Sequence, residues 1–511
     1  MSRLLLTLSV LAGAAYAQLI PGDTVFAGLV ARTDALAYKS HGGDMSTVTP
    51  LMAGGYAGLT HAIVVMSGTP WTPDSQLATG LDFALSAKLV GTGEQLRARA
   101  MFVLDAPAAA DGPYKMKLDL LKADGSEEAA VEPGITLGDV RGRRTGEMSG
   151  LSFDPSKIVQ PGLHTVRATL ENGSGKKLSE YYRSFWIVKD LNKRVAALDK
   201  TLELLPDQKS AAALEARQAL ETVEIAHETY YAPGFQGLTG FVFTRLRAAG
   251  LGLKEPMNFE AGLARATELA DALGHGRDPM ETARGDLFMA YRSSFDGKLV
   301  PYRVYVPTSY TSSKKYPLVV LLHGAGGDET DFIEAYQGQW PKLAEEHGFI
   351  LASVTGRGPL SGYSKESGGE QDVLDVMALV KQRYSVDPSK VYLGGHSMGG
   401  GGTWRIGMEY PDKFAGLIPI AGTSPQLVPG LDAQIKKGIR MPVLMICGQN
   451  DALVPAAGCR PVAEKAKELN APITYKEYAG ADHLSVAVTS VPDIFTWLDQ
   501  QTKSGAGAGG R

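Results

Sequence analysis

Five consecutive residues in the C-terminal half form a turn that can expose a reactive hydroxyl. They are Gly395-His396-Ser397-Met398-Gly399, which follow the apolar run Val391-Tyr392-Leu393 and precede a predicted helix. A serine in such a strand-to-helix turn has strained backbone geometry, and the flanking glycines permit close approach of neighbouring chains. The pattern therefore predicts that Ser397 is a nucleophile; the alternative is a glycine-rich turn with an ordinary serine.

A serine hydroxyl is a poor nucleophile unless a base takes its proton, so this chemistry requires a histidine. His483 is the one histidine that follows Ser397 in the sequence. In one widespread arrangement the three groups occur along the chain in the order serine, acid, histidine. His483 is therefore the predicted base, and without it Ser397 would have none.

The acid is expected just after a late strand. Met441–Cys447 is such a strand, and Gly448-Gln449-Asn450-Asp451 follows it. Asp451 is predicted to accept a hydrogen bond from Nδ1 of His483 and to stabilise the imidazolium. Asp482, next to His483, is the alternative, although its side chain leaves the backbone beside the histidine and makes an in-line bond awkward.

The oxyanion of an acyl-transfer reaction needs donors that are already in place. The predicted donors are the backbone N–H of Met398, at the positive end of a helix, and the N–H of Ala325. Ala325 belongs to the small-residue segment Leu322-His323-Gly324-Ala325-Gly326-Gly327. His323 is interpreted as a structural support of this segment and not as a second base.

These motifs resemble those of secreted esterases with the α/β-hydrolase fold, a group that includes feruloyl esterases, acetyl xylan esterases and polyhydroxyalkanoate depolymerases. The similar region is Asp286–Lys503, a little over two fifths of the chain. The resemblance implies a cofactor-free acyl-enzyme mechanism with Ser397, Asp451 and His483 as nucleophile, acid and base. Peptidases share this fold and these residues, so the fold alone does not select the bond that is cleaved.

Two features concern the substrate. The segment between the strand ending near Ile420 and the strand beginning near Pro442 is too short for a large cap domain. An open site suits bulky or polymer-linked esters. Arg357 and Tyr363 lie in a polar loop after the third strand and are candidates for substrate contact, or else ordinary surface residues.

Three hypotheses follow: a carboxylic-ester hydrolase, a serine peptidase, and a binding protein with a vestigial hydrolase fold. The complete set of nucleophile, base, acid and oxyanion donors favours an enzyme, and the ester hydrolase is preferred. No metal site is predicted, because His227-Glu228 is followed by Tyr231 where a metalloprotease helix would need histidine. No cofactor is predicted.

The elements that must position these residues are alternating strands and helices from residue 286 to 503, typical of a mostly parallel sheet covered by helices on both faces. The predicted helices include Gln371–Arg383 and Gly401–Glu409. The predicted strands are Tyr302–Val306, Leu318–Leu322, Ile350–Val354, Val391–Leu393, Leu417–Ile420 and Val443–Ile446.

The preceding chain is divided by pattern. Residues 18–190 contain short alternating apolar and polar runs, which predict a β-rich domain of immunoglobulin-like sandwich type. Residues 191–285 have helical spacing and are interpreted as a helical connector. Residues 504–511 are rich in glycine and alanine and are expected to form a disordered tail.

The segment that ends at Ala17 is typical of an export signal: Arg3, an apolar run from Leu4 to Ala12, and the small-residue site Ala15-Tyr16-Ala17. A secreted or periplasmic protein without a membrane span in the mature chain is therefore expected. In that compartment Cys447 and Cys459 either pair or remain two buried thiols. The net charge of −4 gives no reason to expect nucleic acid as a partner.

Overall fold

The computed structural model describes residues 49–52, 58, 61–62, 64–65, 70–108, 112–228, 258–325, 327–358, 362–423, 428–437, 439, 441–451 and 453–505. The predicted export signal and residues 506–511 of the predicted tail lie outside these residues, as does the middle of the predicted helical connector.

The described residues of the N-terminal part form two β-sheets. A three-stranded sheet has the order β1-β3-β7, and a larger one has the order β2-β9-β8-β4-β5, with β6 paired to β4. Along β3 every second side chain is buried, which is the period of a strand with one face on a core. The elements are α1 (Thr49–Met52), α2 (Pro73–Gly80), β1 (Leu81–Leu85), β2 (Leu89–Gly91), β3 (Leu96–Phe102), β4 (Tyr114–Leu121), β5 (Glu127–Ala130), β6 (Ile135–Gly138), β7 (Met148–Phe153), a 3₁₀ turn (Pro155–Lys157), β8 (Gly162–Glu171) and β9 (Lys177–Val188).

The described residues that follow form three helices and then a mixed sheet with helices. The helices are α3 (Leu191–Glu203), α4 (Ala211–Glu228) and α5 (Phe259–Gly274). The remaining elements are β10 (Gly285–Arg292), β11 (Leu299–Val306), β12 (Tyr316–Leu322), α6 (Asp331–Glu334), a 3₁₀ turn (Tyr336–Gly338), α7 (Gln339–His347), β13 (Ile350–Val354), α8 (Gly369–Arg383), β14 (Val386–His396), α9 (Met398–Glu409), a 3₁₀ turn (Pro411–Lys413), β15 (Gly416–Ile420), α10 (Leu431–Lys437), β16 (Val443–Gly448), α11 (Ala456–Glu468), β17 (Ile473–Tyr478), α12 (Val486–Thr489) and α13 (Val491–Gly505).

The C-terminal sheet has eight strands in the order β10-β11-β13-β12-β14-β15-β16-β17. Strands β10, β11 and β13 pair antiparallel, and every pair from β13 to β17 is parallel. The carboxyl ends of the parallel strands therefore lie along one edge, where loops of an open α/β sheet form binding sites.

Both faces of this sheet are covered, as the alternation along β12 demonstrates. Val320 and Leu322 join a core that includes Trp404 of α9 and Val376 of α8. Val319 and Leu321 point to the opposite core, whose members include Trp340 and Phe495. A strand buried on both faces reads as a continuous apolar run, which is why its position was predictable from the sequence.

The helices α4 and α5 do more than join two regions. Their buried side chains, such as Leu220 and Leu269, belong to the same core as Val304 of the eight-stranded sheet. The end of α4 also reaches the N-terminal sheets, because the Lys88 N–H donates to the carbonyl of Ala226 at 3.0 Å. These helices thus cover part of the eight-stranded sheet.

The predicted fold class is confirmed, and the structure adds two strands to the six predicted ones. The outer strand β17 (Ile473–Tyr478) mixes polar, charged and aromatic residues and is only half-buried, so it lacks the apolar run of an inner strand. The last helix, α13, continues to Gly505, so residues 504 and 505 of the predicted tail are helical. No helix among the described residues is long and apolar enough to cross a membrane.

Candidate active site

Ser397 occupies the sharp turn between β14 and α9. Its backbone has φ 55° and ψ −116°. This conformation is strained for a residue with a side chain. The turn is held because the Ser397 N–H donates to the carbonyl of Ile420 at 2.8 Å. A Cβ on Gly395 would lie 2.4 Å from the carbonyl oxygen of Gly399, so a glycine is required there.

His483 lies opposite this serine. Its Nε2 is 2.8 Å from Oγ of Ser397, within hydrogen-bond distance. The histidine follows β17 in a loop shaped by Asp482, whose Oδ1 accepts from the backbone amides of Leu484 and Ser485. This arrangement can transfer a proton from the serine hydroxyl to the imidazole.

Asp451 completes the arrangement from the loop after β16. Its Oδ2 is 2.7 Å from Nδ1 of His483, and its Oδ1 accepts from the backbone amides of Leu453 and Val454 at 2.9 and 2.8 Å. The residue is only 4% exposed. These contacts fix the carboxylate and so orient the imidazole, with Nε2 directed at the serine.

The two predicted oxyanion donors belong to segments that adjoin the serine. Met398 is the first residue of α9, where helix amides have no partner within the helix. Ala325 is exposed and follows Gly324, on which a Cβ would lie 3.4 Å from Cβ of Ser397. The loop after β12 therefore packs directly against the serine. Gly326 lies outside the described residues.

His323 supports this loop through contacts of both ring nitrogens. It is fully buried, with Nδ1 2.8 Å from the carbonyl oxygen of Gly324 and Nε2 2.8 Å from that of Thr355. These contacts join the loop after β12 to the end of β13. The position agrees with a supporting role and gives no access to the hydroxyl of Ser397.

The two candidates for substrate contact turn inward instead. Tyr363 is fully buried, and its hydroxyl donates to the carbonyl of His323 at 3.3 Å. The guanidinium of Arg357 bonds to Asp372, Asp296 and Ser293, and only 12% of the side chain is exposed. Neither side chain is therefore placed for substrate contact in this structure: composition indicated a polar loop, but not which side chains point into the protein.

Sequence reasoning did not identify the contacts of His396, the residue before the serine. Its Nε2 is 2.8 Å from the carbonyl oxygen of His483, and its Nδ1 is 3.2 Å from the hydroxyl of Tyr336. Burial lowers the pKa of His396 to about 3, and the neighbouring His483 acts in the same direction. The only sequence signal was its place inside the five-residue turn.

Cys447 and Cys459 form a disulfide bond across 12 residues of sequence. Cys447 is in β16, four positions before Asp451, and Cys459 is in α11. The bond therefore closes the segment that carries the carboxylate. Among the described residues, no three His, Cys, Asp or Glu side chains gather in a way that could hold a metal ion.

The sheet order, the turn at Ser397 and the chain order serine, aspartate, histidine define an α/β-hydrolase with the side-chain arrangement of a serine hydrolase. Residues 362–490 match the dienelactone hydrolase family. This segment contains the candidate nucleophile, acid and base.

Comparison with known proteins gives the same class. The chain is 31% identical over 147 residues to a poly(3-hydroxybutyrate) depolymerase of Ralstonia pickettii, covering 25% of this chain and 30% of the relative. It is 30% identical over 135 residues to feruloyl esterase B of Talaromyces stipitatus, covering 25% and 36% respectively. The chain thus spans about one third of the length of these curated relatives.

Among solved structures, a ferulic acid esterase from Anaeromyces mucronatus in complex with ferulic acid aligns with 41% of this chain and 88% of its own. The sequence identity is 21% and the TM-score is 0.35.

Proposed function

We propose that this protein hydrolyses carboxylic esters through an acyl-enzyme formed on Ser397. The observation that carries the proposal is the continuous hydrogen-bonded series from Ser397 Oγ to His483 to Asp451, at 2.8 and 2.7 Å. The relatives support an ester as the substrate, since they are named as esterases and as a polyester depolymerase.

The reaction begins when Oγ of Ser397 attacks the ester carbonyl carbon and its proton passes to Nε2 of His483. The backbone amides of Met398 and Ala325 bind the resulting oxyanion. Collapse of this intermediate breaks the bond to the alcohol, which leaves with the proton from His483. Water then attacks the acyl-enzyme by the same proton path and releases the acid.

The substrate is proposed to be a bulky or polymer-linked ester of feruloyl, acetyl or polyester type. Among its described residues, the segment between β15 and β16 contains one short helix, α10 (Leu431–Lys437), which is too small for a cap domain. A feruloyl esterase, a probable acetylxylan esterase and a polyester depolymerase are all among the relatives.

We also propose that the chain is exported and processed after Ala17. N-terminal sequencing of the secreted protein tests this proposal.

A serine peptidase remains the second candidate, because that activity uses the same three side chains. A rate panel separates the two: p-nitrophenyl acetate, a longer acyl ester, methyl ferulate, a polyester film and a peptide p-nitroanilide, each with the wild type and Ser397→Ala. Ester turnover that falls by several orders of magnitude in the variant supports the proposal. Cleavage of the anilide alone would establish the peptidase instead.

Covalent labelling adds a test that needs no substrate. A fluorophosphonate should label the wild type at Ser397 and leave Ser397→Ala unlabelled. Full esterase activity in Ser397→Ala would contradict the assignment of the nucleophile.

A further inference from the structure

The imidazole of His396 lies between the two loops that complete the site. On one side its Nε2 is 2.8 Å from the carbonyl oxygen of His483. On the other side a Cβ on Gly324 would lie 3.3 Å from its Nδ1, so the loop carrying Ala325 packs against the ring. The rings of His396 and His483 are 4.9 Å apart, centroid to centroid.

The partners determine which nitrogen of His396 carries the proton. A carbonyl oxygen only accepts, so Nε2 must donate to His483. The neutral ring then has a lone pair on Nδ1, which accepts from the hydroxyl of Tyr336 at 3.2 Å. Both ring nitrogens are satisfied by this one tautomer.

The backbone and packing of Tyr336 hold its hydroxyl beside Nδ1 of His396. It is buried, and both Tyr336 and Gln337 have positive φ values, 52° and 59°, in the turn between α6 and α7. A tyrosine in this region of backbone space is strained, and such strain persists where surrounding contacts hold it. Its ring packs against Phe332, with centroids 5.1 Å apart.

We propose that His396 is a positioning residue, which anchors the backbone of the loop carrying His483, and that Tyr336 selects the tautomer that makes this bond. The inference rests on the proposed function, since the loop matters through the histidine that takes the serine proton. The anchor acts on the backbone at His483, whereas Asp451 acts on its ring, so the two contacts together fix the imidazole.

The anchor also needs to stay uncharged beside a histidine that becomes an imidazolium. Burial holds the pKa of His396 at about 3, so the ring is neutral wherever His483 works. The two histidines are neighbours in space but differ in role: His483 exchanges protons, and His396 does not.

The test compares four single variants by kcat and KM on p-nitrophenyl acetate. His396→Leu removes the donor and should lower kcat about 30- to 100-fold with KM changed less than about 3-fold. In His396→Gln the side-chain amide N–H can occupy the position that Nε2 of the histidine has in the wild type. Its kcat should therefore be within about 5-fold of wild type. Tyr336→Phe should lower kcat about 3-fold.

His164→Leu is the matched control. His164 is also buried, and its Nε2 is 2.7 Å from the carbonyl oxygen of Gln160 in the N-terminal sheets. Losing this bond should leave kcat and KM within about 2-fold of wild type, because it lies outside the site.

A double-variant comparison separates positioning from general damage. In a His483→Ala background, His396→Leu should cause no further loss, because the residue acts only through His483. A further loss of about 10-fold or more in that background would overturn the proposal, as would wild-type kcat in His396→Leu.

Hydrogen exchange measures how firmly His396 holds the loop that carries His483, and it needs no substrate. Backbone amides of residues 479–485 should exchange at least about 10-fold faster in His396→Leu than in wild type, and less so in His396→Gln. Unchanged exchange would overturn the proposal whatever the protein hydrolyses. If His396→Leu does not fold, Tyr336→Phe and His396→Gln decide by the same two measurements.

Discussion

Oδ2 of Asp451 lies 2.7 Å from Nδ1 of His483, although 32 positions of sequence separate the two residues. The adjacent Asp482 uses its carboxylate to accept from the amides of Leu484 and Ser485, which shapes the loop. Proximity in sequence and proximity in function therefore diverge here, because a neighbouring side chain leaves the backbone at the wrong angle for an in-line bond.

This contrast predicts different effects for two equivalent substitutions. Asp451→Asn should lower kcat on an activated ester by about 10³- to 10⁴-fold, since an amide there no longer selects the imidazole tautomer. Asp482→Asn keeps an acceptor oxygen for the two amides and should stay within about 3-fold of wild type. Steady-state kinetics measures both, and equal losses would argue against Asp451 as the acid.

The buried His396 predicts how stability depends on pH. Its pKa is about 3 in the folded protein against an ordinary value of 6.5. Between these values the unfolded chain binds the extra proton, so stability should fall as pH decreases from about 6.5 towards about 3. Thermal melts at several pH values should show this loss, and His396→Gln should lessen it. An identical pH dependence in the variant would contradict the assignment.

For Glu215 we expect stability to depend on pH with the opposite sign. Burial raises its pKa to about 7 from 4.5, although Arg265 opposes this shift, and its Oε2 has no hydrogen-bond partner among the described residues. The folded state therefore holds a proton that the unfolded state releases between pH 4.5 and about 7, and stability should fall as pH rises through that range. Glu215→Gln should gain roughly 1 to 3 kcal/mol at about pH 8 relative to about pH 4.5.

Denaturant unfolding at the two pH values measures that gain. Glu203 of α3 is exposed and provides a control. Glu203→Gln should change stability by no more than about 0.5 kcal/mol at either pH, as is usual for a surface substitution. A Glu215→Gln variant with the wild-type pH dependence would count against a buried, protonated carboxyl.

Arg357 is predicted to serve stability and not substrate binding. Arg357→Ala leaves Asp372, which is fully buried, without its cation. This change should lower the free energy of unfolding by about 3 to 5 kcal/mol. Below the melting temperature, KM for a soluble ester should remain unchanged.

Arg460→Ala is the matched control for Arg357→Ala. Arg460 pairs with Glu477 at the surface. Losing an exposed pair should cost at most about 1 kcal/mol. A raised KM with unchanged stability in Arg357→Ala would restore the original expectation of substrate contact.

The disulfide should stabilise the segment that leads to Asp451. Replacing Cys447 and Cys459 by alanine should lower the free energy of unfolding by about 2 to 4 kcal/mol, the range expected for a short closed loop. Denaturant unfolding with and without dithiothreitol measures it. Reductant should weaken the wild type to the level of the double variant and leave that variant unaffected.

Much of the catalytic half could be predicted from the sequence because its signals are local. A buried parallel strand is a continuous apolar run, and the turn around Ser397 needs glycines at fixed spacing. The base followed by elimination, since one histidine lies beyond the serine. The outer strand β17 escaped prediction because half-exposure mixes polar and apolar residues.

The sequence by itself determined which residue types were available for the chemistry and the elements on which they lie. Only the tertiary structure decided which of them meet. It brought Asp451 and not Asp482 to Nδ1 of His483, paired the two cysteines, turned Arg357 and Tyr363 inward, and placed His396 between two loops. These outcomes depend on side-chain direction and on the approach of segments that are distant in sequence. Neither property produces a periodic pattern in the amino-acid sequence.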